Sequence, residues 1–177
     1  MYSCGQPIVG ALLFSLGLYA IIVFKLKLFT GQIGYLPPNL PVILLGNLIG
    51  TVFGASLLSE CSPTVVAAAS KICEQKLEVS LLAIFIKAFF CGILMFVAVE
   101  GYKRTKNPLV VLMSIATFIL CGFEHCIASL GYFAICGIDN AAAHWRILTM
   151  IFGNTIGSLF ISLPLLKILD KSNKTDT

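Results

Sequence analysis

Ile119-Leu120-Cys121-Gly122-Phe123-Glu124-His125-Cys126-Ile127-Ala128 is the stretch that decides how this chain is read. It sets an adjacent glutamate and histidine in the middle of an apolar run from Leu109 to Cys136. Ionisable side chains at bilayer depth are costly, and they are carried where they face a protein interior or an aqueous path. The pair is therefore a candidate functional site, and the rest of the chain reads as its container.

Hydrophobic residues make up 58% of the 177 positions and charged residues only 11%. A soluble domain has fewer of the first and about twice as many of the second, so the surface faces lipid rather than water. One crossing needs about 20 apolar residues, which allows five or six helices and no separate soluble domain. The long continuous runs exclude a transmembrane β-barrel, whose strands would alternate in short segments. The expected fold class is all-α and integral to the membrane, with about five spans.

The formal net charge is +4, and its placement matters more than its sum. Lys103, Arg104 and Lys106 form one basic cluster and Lys167, Lys171 and Lys174 another, each just beyond an apolar run. The positive-inside rule makes both clusters cytoplasmic. No basic stripe carries interleaved aromatics, so nucleic acid is not an expected partner. The N-terminal Met1-Tyr-Ser-Cys-Gly has no basic segment, and the apolar run behind it is too long for a signal peptide, so it reads as a retained span.

Seven cysteines are present; Cys4, Cys91, Cys121, Cys126 and Cys136 lie in or beside apolar segments and read as small hydrophobes. Cys61 and Cys73 flank a polar loop and could pair in an oxidising compartment, while no spacing matches a metal motif. Neither metal nor cofactor is expected. Glu124, His125 and Cys126 are consecutive, so on a helix they diverge and cannot converge as an enzyme's catalytic set.

Span one runs from about Ile8 to Tyr35, interrupted by Lys25 and Lys27 and then by Leu28-Phe29-Thr30-Gly31. A helix broken at depth is tolerated where the freed backbone is buried or lines a cavity; the alternative is a helix ending at Phe24 with snorkelling lysines. Pro37-Pro38-Asn39 makes a turn. Span two, Pro41 to about Ser59, carries Gly46, Gly50 and Gly54 on one face, where another helix could approach closely. Residues 60–79 form a polar extracytoplasmic loop with a short interfacial helix over Val65 to Cys73. Span three extends from Leu81 to Val99 and includes Lys87, read as snorkelling or paired; Glu100 to Arg104 are its cytoplasmic flank. Span four, Leu109 to Cys136, is long enough to be two half-helices. After an extracytoplasmic loop at Asp139-Asn140, His144, Trp145 and Arg146 mark the membrane interface, span five runs from Ile147 to Leu169, and residues 170–177 are a cytoplasmic tail.

Gly46-Asn47-Leu48-Ile49-Gly50 recurs as Gly153-Asn154-Thr155-Ile156-Gly157, each copy following a broken span. Discontinuous helices at matching places in two halves point to a transport site near the midplane. Alternation of sides gives the halves opposite orientations, an inverted repeat with two broken helices. Residues 1–59 then hold an incomplete first repeat of two spans and residues 80–169 a second repeat of three. The partner of span three is lacking, and the first residue, Met1, is placed outside the cell.

From near residue 8 to about 166 these features resemble the formate/nitrite transporter family. Phe14-Ser-Leu-Gly-Leu18 with Leu28-Phe29-Thr30-Gly31 is similar to its second helix and Ω-shaped loop, Gly92-Ile93-Leu94 to the start of its fourth-helix signature, and Gly122 to Ala128 to its histidine motif. The resemblance implies an aquaporin-like protomer lacking the family's first helix, assembled as a homopentamer in the bacterial inner membrane. Each protomer would pass a small monovalent anion, such as formate, nitrite or hydrosulfide. It also implies that His125 and Thr30 are the central polar site, and that Phe14, Leu18, Leu28, Phe29, Val99 and Phe118 are hydrophobic constrictions. Several positions depart from the family pattern. Its lysine at the mouth of the fourth helix falls on Ser80, with Lys76 one turn earlier; the acidic residue before Leu-Phe-Thr is Lys27; its two asparagines are Phe96 and Ser129.

Independently of the family, a histidine beside a broken helix suits a weak acid, because its ordinary pKa lies near physiological pH. Lys25, Lys27 or Lys76 would draw the anion in, and protonation near His125 would let it cross the apolar walls. Glu124 is expected to fix the loop or pair with a base. The alternatives are a His125 that only holds the loop, and a truncated, non-conducting fragment or an assembly subunit of a mixed oligomer.

Overall fold

The computed structural model describes the backbone of residues 7–175 and the side chains of residues 8–168. The expectations for Met1 and Cys4 lie outside the described residues, as do those for the side chains of Lys171 and Lys174.

With no water available in a bilayer core, a backbone in lipid must satisfy its own polar groups, and this chain does so with helices throughout. They are α1 (Pro7–Val23), α2 (Phe29–Gln32, continued by one 3₁₀ turn to Tyr35), α3 (Leu40–Cys61), α4 (Pro63–Glu78), α5 (Leu81–Thr105), α6 (Pro108–Leu120), α7 (Cys126–Ile135) and α8 (Ala141–Thr175). Three helices, α3, α5 and the part of α8 from Ala141 to Ile168, are long and apolar enough to cross a membrane. α6 and α7 have 13 and 10 residues. At 1.5 Å per residue they reach the roughly 30 Å of a hydrocarbon core only as a pair.

Both expected breaks are present and end in the same backbone device. At the end of α1, Lys25 N–H bonds Ile22 O at 3.1 Å and Leu26 N–H bonds Ile21 O at 2.9 Å, with Lys25 at φ 56°. At the end of α6, Gly122 N–H bonds Ile119 O at 3.1 Å and Phe123 N–H bonds Phe118 O at 3.0 Å, with Gly122 at φ 65°. Each is a Schellman motif, which satisfies terminal carbonyls by a left-handed residue. Three residues outside any helix follow in each copy, the last of them, Leu28 or His125, extended, and then the second half-helix starts at Phe29 or Cys126.

The packing is densest where glycine removes side chains. A Cβ at Gly157 would lie 1.9 Å from the Phe89 carbonyl oxygen, and one at Gly92 would lie 2.2 Å from that of Asn154. α5 and α8 therefore touch backbone to backbone. The repeat-related glycines behave otherwise: among the described residues nothing lies within 4 Å of a Cβ at Gly46, Gly50 or Gly54. α3 packs against α7, and its small-residue stripe meets no helix among the described residues.

Several sequence expectations are corrected. The interfacial helix is longer than Val65 to Cys73, because Pro63 pre-sets its first turn and Ala69, Ile72 and Cys73 bury one face. α5 continues past Val99 to Thr105, and Glu100 is not a solvated flank. It is buried and accepts hydrogen bonds from Tyr35 Oη at 2.5 Å and Arg104 Nε at 2.6 Å. The last helix starts at Ala141 rather than Ile147 and passes through Pro164 to Thr175, so it continues into the segment read as a tail. Arg146 is not a belt residue. Its guanidinium donates to the carbonyls of Lys76 (2.9 Å), Leu77 and Val79 (3.2 Å), satisfying the C-terminal end of α4. His144 pairs with Asp139 at 2.7 Å and, like Trp145, is exposed.

Candidate functional site

Two asparagines pin the two breaks in the same way. Asn47 Oδ1 accepts from Phe29 N–H at 2.7 Å, and its Nδ2 donates to Lys27 O at 3.0 Å. Asn154 Oδ1 accepts from Cys126 N–H at 3.0 Å, and its Nδ2 donates to Glu124 O at 2.9 Å and also to Ala88 O of α5 at 2.9 Å. The first N–H of each second half-helix, an orphan donor by helix geometry, is satisfied from the Gly-Asn-x-Ile-Gly segment. The register becomes explicit: Leu26-Lys27-Leu28 corresponds to Phe123-Glu124-His125.

This pinning brings Thr30 and His125 together. Thr30 Oγ1 lies 2.8 Å from His125 Nε2, with exposures of 0% and 4%. His125 is also the N-cap of α7: its Nδ1 accepts from Ala128 N–H at 3.2 Å. A nitrogen that accepts carries no proton, so the neutral ring holds its hydrogen on Nε2 and donates it to Thr30. The threonine hydroxyl hydrogen is left free to serve another acceptor.

His125 lines one of two separate cavities, and Leu28 and Gly31, close to Thr30 in the chain, line the other. The inner one, about 470 Å³, is walled by Leu18, Leu28 and Val99 and edged by Lys25, Lys27, Lys103 and Lys106. The outer one, about 250 Å³, is walled by Phe14 and Phe118 and holds His125, Ser129, Glu124, Lys76 and Lys87. Phe14 meets Phe118 edge to face at 5.6 Å between centroids, and the Phe118 ring lies 6.1 Å from that of His125.

Of the path residues singled out from the sequence, two line neither cavity. Thr30 is fully buried against His125, and Phe29 is packed among Ile33, Ile84 and Cys126 in the core. Lys76 lines the outer cavity, but its ammonium is paired with the Glu124 carboxylate, which also accepts from Ser129 Oγ at 3.0 Å. Its charge is therefore largely neutralised. Glu124 is thus paired with a base and bonded to Ser129 of α7.

Sequence reasoning missed five lining or pinning groups. Lys87, expected to snorkel or pair, lines the outer cavity and, among the described residues, makes no ion pair. Its position inside the apolar run was the available signal. Lys103 and Lys106 were used only to set topology, although the end of a span beside a broken helix is where a mouth would form. Asn47 and Asn154 were read only as marks of a repeat. Cys61 does not face Cys73: Cys61 is exposed, while Cys73 lies with its Sγ 3.5 Å from that of Cys136.

Known proteins share this architecture. The sequence profile described as formate/nitrite transporter matches residues 2–167. The nitrite transporter NirC of Escherichia coli K12 is 26% identical over an alignment of 209 positions that covers 97% of this chain and 78% of that protein. The formate channel FocA of Haemophilus influenzae is 27% identical over 156 positions, covering 72% of this chain and 55% of that protein. A solved FNT family ion channel superposes with a TM-score of 0.83 at 25% identity, over 92% of this chain and 77% of that one. A pentameric formate channel with formate bound gives 0.77 at 21% identity, over 96% and 85%, a likeness of fold alone. These relatives are transporters or channels. The all-helical, aquaporin-like bundle with its two broken helices, and a profile that covers nearly the whole sequence, place this multi-pass membrane protein in the formate/nitrite transporter family.

Proposed function

We propose that the chain passes a small monovalent anion, or its conjugate weak acid, of the formate, nitrite or hydrosulfide type, past Thr30 and His125. The observation that carries this reading is the hydrogen-bonded Thr30–His125 pair, whose histidine lines one of two cavities and whose threonine adjoins Gly31 of the other, each cavity holding lysines. Lys25, Lys27, Lys103 and Lys106 draw anions to the inner mouth, and Lys87 does so at the outer one. The walls at Leu18, Leu28, Val99, Phe14 and Phe118 oppose a bare charge, because a desolvated carboxylate is strongly disfavoured and its protonated form loses most of that penalty. Thr30, receiving Nε2–H, offers its hydroxyl to the anion at the narrowest point. Ser129 and the Lys76–Glu124 pair hold the loop that carries the histidine.

The basic flanks set the inner mouth toward the cytoplasm, with residues 60–79 outside, in a bacterial inner membrane. The pentameric state of the formate channel of like fold supports a homopentamer here. Proteoliposome flux over formate, nitrite, acetate and hydrosulfide at two pH values tests the reading. It expects uptake of at least one of them above protein-free vesicles, increasing as pH falls.

One observation favours a second reading. The bare glycine stripe of α3 corresponds to the stripe of α8 that α5 covers, and Asn47 lacks a counterpart of the Asn154 bond to Ala88. In that reading this chain is an assembly subunit whose α3 is covered by a helix of another polypeptide. A purified chain that forms no stable oligomer and conducts nothing supports it over the first.

A further inference from the structure

The outer side of the molecule holds a thiol pair that the transport chemistry does not use. Cys73 is fully buried on α4, and its Sγ lies 3.5 Å from Sγ of Cys136, the partly exposed C-cap of α7. Ser70, one turn earlier on α4, lies 3.7 Å from the same sulfur. A disulfide needs the two sulfurs about 2 Å apart. Side-chain rotation at the partly exposed cysteine can close the remainder. Both helices belong to the side left outside by the basic flanks, where disulfides form and persist.

We propose that Cys73 and Cys136 are a covalent modification site, a disulfide that staples α4 to α7 at the outer mouth. The residues one turn away show what the staple holds. Lys76 follows Cys73 on α4 and pairs with Glu124, while Tyr132 precedes Cys136 on α7, and the Lys76 ammonium lies 5.9 Å from its ring centroid. Closing the bond fixes the helix that carries Lys76 against the helix that starts at His125. The electron acceptor is a disulfide reagent of the type R–S–S–R. The Cys136 thiolate attacks it and expels one R–S⁻, giving a mixed disulfide. The Cys73 thiolate then attacks Cys136 Sγ and expels the second R–S⁻. The two cysteines lose two protons and two electrons, and the reagent gains the electrons as two thiolates. The order follows from access, since Cys73 is enclosed; burial also pushes its thiol above the ordinary range.

The test uses the full chain in detergent, treated with oxidised glutathione or with dithiothreitol, alkylated, digested without reduction and read by mass spectrometry. The proposal expects a peptide pair joined through Cys73 and Cys136, lighter by two hydrogens than the separate peptides and reversed by dithiothreitol. It also expects the oxidised protein to melt about 5–10 °C higher than the reduced one, a shift absent from Cys73→Ser and Cys136→Ser. Exposed Cys61 reports that the reagent has acted. If Cys61 carries glutathione while Cys73 and Cys136 remain separately alkylated, the proposal is overturned. A cross-link that joins Cys73 to Cys61 instead overturns it equally.

Discussion

Replacing Asn154 by alanine removes the side chain that pins the second break, and the structure sets the size of the effect. Asn154 is 0% exposed and makes three hydrogen bonds: from Cys126 N–H, and to the carbonyls of Glu124 and Ala88. No water reaches these groups, so the variant leaves one orphan donor and two carbonyls each short of a partner. At roughly 1–3 kcal/mol for each buried group left unsatisfied, and with partial relaxation, the loss is about 3–6 kcal/mol. For a chain of this size that corresponds to a melting midpoint lower by about 10 °C or more, read by thermal unfolding in detergent. Asn47→Ala serves as the internal comparison. Asn47 is half-buried and, among the described residues, bonds only Phe29 and Lys27, so its cost is about half as large. A melting midpoint for Asn154→Ala within 2 °C of the parent, or a larger drop for Asn47→Ala, would refute the view that these asparagines hold the breaks.

Three further outcomes follow from the packing and the charges. Gly157→Ala forces a methyl group to within 1.9 Å of the Phe89 carbonyl and separates α5 from α8, costing about 3 kcal/mol, visible as a lower melting midpoint and loss of the folded peak on gel filtration. Gly46→Ala or Gly50→Ala meets open space and raises stability by up to about 1 kcal/mol; a loss instead would show that another helix covers α3 in the assembly. Lys87→Gln removes the one outer-cavity cation that makes no ion pair among the described residues. A unit charge about 6 Å away in a watery mouth contributes roughly 0.7 kcal/mol, so the substrate concentration for half-maximal flux from the outer side rises about threefold. That difference shrinks as salt screens the charge.

The sequence exposes the features that cost energy in lipid and hides those that depend on which way a helix turns. Lys25, Lys27 and the Glu124–His125 pair interrupt apolar runs, so both breaks are readable before any coordinates. The repeated Gly-Asn-x-Ile-Gly shows that the breaks are related, but only three dimensions show the asparagine reaching back to the first N–H of each second half-helix. Phe29 adjoins the proposed path residues Leu28 and Thr30, yet its ring is carried into the core. Lys76, Lys87 and Arg146 illustrate the same limit. Each is a base beside an apolar segment, and each does something different: one neutralises Glu124, one lines a cavity, and one satisfies the end of α4. Composition cannot separate these roles, because they are fixed by which neighbouring helix supplies the partner.

The most direct test of the central claim is anion flux into proteoliposomes carrying the parent chain or His125→Asn, measured from pH 5 to pH 8. Asparagine keeps an acceptor at the N-cap of α7 for the Ala128 N–H and so preserves the loop, but it replaces the imidazole that meets Thr30. The account predicts that the parent flux rises steeply as pH falls, as the neutral fraction of a weak acid does, about tenfold per unit above its pKa. It predicts that the variant folds, melts within a few degrees of the parent and loses most of that flux. A folded variant with the parent's flux and the parent's pH profile would contradict it, leaving His125 as a cap and nothing more.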